Sequence, residues 1–175
     1  MIELRGTGII LRPPRPSEAA AALALLTEPE VDRWNPASDV VDLETAEAWC
    51  RRGADWAAGT HATFSILVDP GGAYAGNVSL HNVDPEHLTA DIGYRVAADH
   101  RGRGIATEAL RLVASYAFGD RGLFRVQLLH AVANPASCRV AEKAGFRLEG
   151  TLRAAAVHAG HREDEHLHAR LRTDP

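Results

Sequence analysis

The segment that most narrows what this chain can fold into runs from Tyr94 to Leu110. Tyr94-Arg95-Val96 reads as the end of a strand, the residues up to Gly104 as a tight loop rich in arginine and glycine, and Ile105 onward as a helix. A strand, loop and helix in such close succession suit an anion. Gly102 and Gly104 let the chain turn sharply and keep side chains away from the backbone N–H groups, while the helix start adds unpaired donors and the positive end of its dipole. Arg101 and Arg103 add fixed charge. Arg101, Gly102, Arg103, Gly104, Ile105, Ala106 and Thr107 together read as a pyrophosphate cradle, with a plain strand-to-helix turn as the alternative that the hexapeptide alone leaves open.

Two other phosphate loops are excluded. A dinucleotide fingerprint needs a small residue where Thr107 stands and a carboxylate at the end of the next strand, which here reads Leu129-His130-Ala131-Val132. A nucleoside triphosphate loop needs Gly-Lys-Ser/Thr, and the only lysine is Lys143. The loop favours an acyl-CoA over NAD or ATP.

With 175 residues, 46% of them hydrophobic and 24% charged, one globular domain over 1–175 is enough, able to bury about 70% of its unfolded surface. A net charge of −4 argues against nucleic acid or an anionic membrane as partner, since either calls for a basic face. Cys50 and Cys138 are too few for a disulfide framework and no apolar leader opens the chain, so a cytoplasmic location is expected. The longest apolar run, Ala19 to Leu26, is far short of the ~20 residues of a membrane span and reads as a buried helix.

Periodicity places the remaining elements. Ile2-Leu4 and Ile9-Leu11 read as a first strand broken by glycines, Ser17 as the cap of a helix to about Leu26, and Thr45 to Trp56 as a second helix. His61 to Val68, Tyr74 to Leu80 and Leu88 to Val96 alternate as three antiparallel strands. Ile105, Ala109, Leu112, Val113 and Tyr116 mark an amphipathic helix, followed by a strand from Phe124 to Val132. Asn134 and Pro135 open a short helix that Gly145 closes, and Phe146 to Arg153 with His161 to Leu171 form a last hairpin. The order βααβββαβαββ predicts a mixed α/β fold, largely antiparallel, with helices on both faces of the sheet.

The grouping Arg101-Gly102-Arg103-Gly104-Ile105-Ala106 fits the pattern Gln/Arg-x-x-Gly-x-Gly/Ala and resembles the coenzyme A loop of the GNAT superfamily of N-acetyltransferases. One strand later, Asn134-Pro135-Ala136-Ser137 followed by Glu142-Lys143-Ala144-Gly145-Phe146 resembles a second signature of the same superfamily. Ile10-Leu11-Arg12-Pro13 and Glu28-Pro29-Glu30-Val31-Asp32-Arg33-Trp34 are similar to its RimJ/RimL branch of ribosomal-protein N-terminal acetyltransferases. This resemblance implies acetyl-CoA as co-substrate, a splayed central strand pair, and a primary amine as acceptor, either a protein N-terminus or a small molecule. It is compatible with a homodimer. It also implies that Tyr94 and Val96 offer backbone groups to the pantetheine arm, and that Asn134 touches that arm or its strand. A non-catalytic acyl-CoA sensor or scaffold is the alternative of another class.

Acyl transfer to an amine needs a base for the ammonium proton and an acid for the leaving thiolate. Ser137, in the first turn after Asn134, is the candidate acid, with a second capping role as its bland reading. Many relatives carry a tyrosine immediately before the Glu-Lys pair; Ala141 stands there in this chain. Asp91 is the first candidate base and His81 the second. His158, His161, His166 and His168 flank Glu163-Asp164-Glu165 and read as an exposed strand edge, so no metal is expected. Trp49 and Trp56, seven apart, read as one helix face packed in the core, with a substrate-groove wall as the functional alternative for them and for Trp34.

Overall fold

The computed structural model describes residues 2–35, 37, 39–158 and 160–175. The chain opens with a hairpin, β1 (Leu4–Gly6) and β2 (Ile9–Arg12), and a 3-10 turn at Pro16–Glu18 leads into α1 (Ala19–Leu26), α2 (Pro29–Trp34) and α3 (Leu43–Ala54). Three strands follow, β3 (Ala62–Val68), β4 (Tyr74–Asp84) and β5 (Thr89–Val96), then α4 (Ile105–Gly119), β6 (Arg125–Ala131), α5 (Pro135–Lys143), β7 (Arg147–His158) and β8 (His161–Leu171). One sheet takes the order β1-β2-β3-β4-β5-β6-β8-β7. Every pairing in it is antiparallel except β5 with β6.

That one parallel pairing is short. Thr89, Ala90 and Asp91 of β5 match Arg125, Val126 and Gln127 of β6, after which each strand pairs only with its other neighbour. β5 continues along β4 to Val96 and β6 along β8 to Ala131. A fork therefore opens in the middle of the sheet, as the resemblance implied, and its far end is where β5 runs into the glycine loop. Gly76 of β4 makes this end possible. At φ +155° its missing Cβ would stand 2.1 Å from the Arg95 carbonyl oxygen, so only glycine lets β4 and β5 approach there.

Strand alternation divides the helices between the two faces. Phe64 and Ile66 are fully buried on one face, where Phe64 meets Tyr116 of α4 with ring centroids 5.5 Å apart. Thr63 and Ser65 point the other way, toward α3 and the Pro16–Glu18 turn: the Ser65 hydroxyl donates to Glu18 Oε2 at 2.7 Å. Glu18 also pairs with Arg12, and the two side chains are only 10% and 11% exposed. Removing one partner strands a buried charge, which typically costs about 3–5 kcal/mol. Glu18→Ala should lower the urea midpoint by the equivalent of that loss, and an unchanged midpoint would show that the pair contributes no stability.

Several local expectations are corrected. The first strand is two strands joined by a turn, because Gly8 at φ +73° reverses the chain. Ser17 does not cap α1; the Arg15 N–H instead donates to the Glu18 carboxylate at 3.0 Å. The second helix begins at Leu43 under an Asp42 cap that accepts from the Thr45 N–H at 2.8 Å, and it ends at Ala54. Trp56 thus lies beyond the helix and packs on Phe64 with centroids 4.8 Å apart, while Trp49 joins a separate small core under α1 and α3. α2 was not anticipated. Six residues with a single buried position, Val31, leave too little periodicity to read.

Candidate active site

The fork between β5 and β6 is the mouth of a cleft of about 670 Å³. At one end lies the glycine loop. Gly102 and Gly104 take φ of +74° and +79°, and Gly104 forms the left-handed N-terminal boundary of α4. The first backbone bond of that helix runs from the Glu108 N–H to the Gly104 carbonyl at 3.0 Å, and among the described residues no carbonyl accepts from the N–H groups of 102–107. Those donors face the cleft from a helix start with open space above both glycines. An anion is the partner they suit.

The two arginines behave differently from the expectation of free positive charge. Arg101 pairs with Glu28 at 2.5 Å and Glu30 at 3.0 Å and donates through Nε to the Val96 carbonyl at 2.9 Å. Its charge is balanced within the protein, and its work is to tie the loop to α2 and the end of β5. The same bond engages the carbonyl of Val96 that the resemblance offered to the pantetheine. Arg103 is exposed and does not line the cleft. The loop offers the cleft backbone donors more than side-chain charge.

At the middle of the cleft stands Ser137, in the first turn of α5. The Asn134 Oδ1 accepts from the Ser137 N–H at 3.1 Å, which caps the helix and aims the serine into the fork. Its hydroxyl lies 3.1 Å from the Tyr94 hydroxyl. Burial raises the pKa of Tyr94, partly offset by the bond to Ser137, so the phenol keeps its proton at neutral pH. The resemblance points to Tyr94 through its backbone alone. The pairing of its hydroxyl with Ser137 spans 43 residues and leaves no signal in either local motif.

Asp91 also lines the cleft, at the point where β5 leaves β6. Both of its oxygens are occupied: Gln127 Nε2 donates to Oδ1 and Asn82 Nδ2 to Oδ2, each at 2.7 Å. A second carboxylate, Glu165 of β8, also lines the cleft, opposite Ala131 at the end of β6, with His158 of β7 at 3.8 Å. The His158 ring meets Trp34 of α2 edge-on, with centroids 5.9 Å apart, and both its nitrogens are buried without a hydrogen-bond partner. Of the three tryptophans, Trp34 alone lines the cleft. His81 lines it too, beside Asp91 in the ladder. The arrangement can hold a phosphate-bearing acyl carrier on the glycine loop and a polar acceptor in the same cleft, beside two hydroxyls.

The family model for an acetyltransferase (GNAT) domain matches residues 9–147. The chain is a GNAT acetyltransferase. The acetyltransferase is 36% identical over 151 residues to YdaF of Bacillus subtilis (strain 168), covering 83% of this chain and 80% of that protein. It is 34% identical over 96 residues to the ribosomal-protein-serine acetyltransferase of Escherichia coli (strain K12), covering 55% of this chain and 54% of that one. Among solved structures, Mycobacterium smegmatis RimJ in complex with CoA-disulfide superimposes with a TM-score of 0.85 at 28% identity, over 97% of this chain and 86% of RimJ. The acetyltransferase is thus close to the RimJ/RimL ribosomal-protein enzymes, as the N-terminal motifs suggested, and acts as an acetyl-CoA-dependent N-acetyltransferase. No helix among the described residues is long and apolar enough to cross a membrane.

Proposed function

We propose that this acetyltransferase moves the acetyl group of acetyl-CoA directly onto the free amino group of a protein N-terminus. The observation that carries this reading is the convergence of groups on one cleft: the glycine loop at Gly102 and Gly104 to Thr107, the paired Tyr94 and Ser137 hydroxyls, and Trp34, His158 and Glu165. The pyrophosphate lies on the loop, with Gly102, Gly104, Ile105, Ala106 and Thr107 as its cradle, and the pantetheine runs up the fork past Asn134. The amine nitrogen attacks the thioester carbonyl, the C–S bond breaks, and the departing sulfur takes its proton from the Ser137 and Tyr94 pair. Glu165 accepts the ammonium proton. Asp91, which the sequence suggested for that step, is assigned instead to bracing the fork, because the Gln127 and Asn82 amides hold its carboxylate where β5 leaves β6.

Similarity to a ribosomal-protein-serine acetyltransferase supports a polypeptide acceptor, and the acceptor end of the cleft lies between α2 and the β7–β8 hairpin. The test is thiol release from acetyl-CoA with a panel of peptides bearing free N-termini, spermidine and an aminoglycoside. Turnover with the peptides and not with their N-blocked forms supports the proposal. Turnover with the polyamine alone, or with no amine at all, overturns it. Replacing Gly104 by aspartate tests the loop: a left-handed non-glycine residue costs about 1–2 kcal/mol and the added charge repels the phosphates, so the dissociation constant for CoA should rise about tenfold or more. Calorimetry that finds CoA binding intact would remove the loop from the site.

The acidic run Glu163-Asp164-Glu165 bears on capture of the acceptor. Only Glu165 lines the cleft; Asp164 accepts from the Ala154 N–H at 2.8 Å in the hairpin. Attraction between exposed charges fades beyond about 8 Å at physiological salt. Neutralising Glu163 and Asp164 should therefore raise KM for a cationic amine a few-fold at low ionic strength and leave that for acetyl-CoA unchanged. Identical kinetics at low and high salt would return these two residues to a solvated hairpin.

A further inference from the structure

At the back of the cleft, four side chains that acetyl transfer does not require converge on one point. His130 of β6, Cys138 of α5, and His166 and His168 of β8 each bring one potential ligand atom within 4.8 Å of all the others. The β6–β8 ladder sets His130 opposite His166, and the two-residue period of a strand puts His168 on the same sheet face. The expectation of an exposed histidine edge fails here for a physical reason: β8 is an inner strand between β6 and β7, so His168 is completely buried and only His161, at the hairpin tip, is exposed.

Hydrogen bonding fixes the tautomers. His130 Nδ1 lies 2.8 Å from the Ala131 carbonyl oxygen and His168 Nδ1 lies 3.3 Å from that of Phe146. A carbonyl only accepts, so each Nδ1 carries the proton and each neutral ring presents an Nε2 lone pair. These two Nε2 atoms face one another at 3.2 Å. In these tautomers the two lone pairs converge on one point, where a cation can accept both.

Two separations within this 4.8 Å cluster match those of a metal site. Tetrahedral coordination at about 2.0–2.1 Å for nitrogen and about 2.3 Å for sulfur separates two nitrogens by about 3.3 Å and a nitrogen from a sulfur by about 3.6 Å. The observed separations are 3.2 Å for His130 and His168 and 3.8 Å for His168 and Cys138 Sγ. His166 Nδ1 is buried with no hydrogen-bond partner. Imidazole nitrogen donating from its second ring atom to a backbone carbonyl is the usual outer-shell arrangement of a metal-bound histidine.

We propose that His130, Cys138, His166 and His168 form a binding site for a zinc-class divalent cation, with three imidazole nitrogens and one thiolate as donors. Binding breaks the Cys138 S–H bond, forms a sulfur–metal bond and releases one proton to solvent. Because the thiol gives up its proton on binding, affinity falls at acid pH. The inference does not depend on the acceptor or on the roles given to Ser137 and Glu165.

The test uses tag-free, CoA-free protein titrated with cobalt(II), a spectroscopic substitute for zinc. One equivalent should bind per chain with a thiolate-to-cobalt charge-transfer band and the visible bands of a tetrahedral ion, and zinc should displace it. Cys138→Ser should abolish the charge-transfer band, and His168→Asn should weaken binding by more than the roughly 10–100-fold that outer-shell changes cost. His161→Ala, at the exposed hairpin tip, should change neither. The absence of a charge-transfer band, or a band that survives Cys138→Ser, overturns the site. Cys138 is only partly buried, so its serine variant decides the matter even if His168→Asn fails to fold.

Discussion

Replacing Ser137 by alanine is expected to slow turnover by about 100-fold or more, the usual contribution of a positioned general acid, while the melting temperature and the affinity for acetyl-CoA stay nearly unchanged. The reasoning follows from what Ser137 touches. Its backbone N–H, which alanine keeps, is the group that Asn134 caps, and its hydroxyl bonds only to Tyr94 among the described residues. The substitution therefore removes a proton donor from the cleft and leaves the cap of α5 in place. Tyr94→Phe is the companion variant. If the two hydroxyls deliver one proton as a unit, the double variant should be scarcely slower than the slower single one, because groups that act together are not additive. Full activity in Ser137→Ala with a lowered melting temperature would make the serine a structural residue.

Glu165→Gln should lower kcat by about 100-fold or more with a peptide acceptor, which is the scale of a lost general base. Asp91→Asn should act differently. It removes a charge acceptor shared by Gln127 and Asn82 at 2.7 Å each, so the fork between β5 and β6 loses its brace and the melting temperature falls along with activity. Hydrogen bonds to a charged group are typically worth about 1.5–3 kcal/mol. A variant that loses activity without losing stability marks the base, and one that loses both marks the brace. The reverse pattern, in which Asp91→Asn keeps its stability and loses turnover while Glu165→Gln stays active, would return the proton-accepting role to the residue that the sequence suggested. Single-turnover rates separate these outcomes from a change in acceptor binding.

The parts of the protein that local chemistry controls were legible before any coordinates. Gly102 and Gly104 ahead of Ile105 give a left-handed, donor-rich helix start by their own backbone freedom, and Asn134-Pro135 starts a helix by capping and by a preset φ. Alternation from Ala62 to Val96 gave three strands whose bounds differ from expectation by a few residues at most, save the longer β4. These signals are short in range, so the residues that carry them lie within a few positions of one another.

What only the tertiary structure decided depends on partners far apart in the chain. Arg101 pairs with Glu28 and Glu30, more than 70 positions away, which ties the loop to α2. Tyr94 becomes a neighbour of Ser137, and Glu165 enters the cleft, because β5 and β6 part after three paired residues. The insertion of β8 between β6 and β7 buries His168 and brings it against His130 and Cys138. Strand order is set by which buried faces pack best across the whole sheet, and no window of sequence contains both members of such a pair. The sequence by itself determined the family, the glycine turn into α4 and the Asn134 cap of α5; the meeting of side chains at the fork waited for the sheet, since the geometry of a site is a property of the packing that surrounds it.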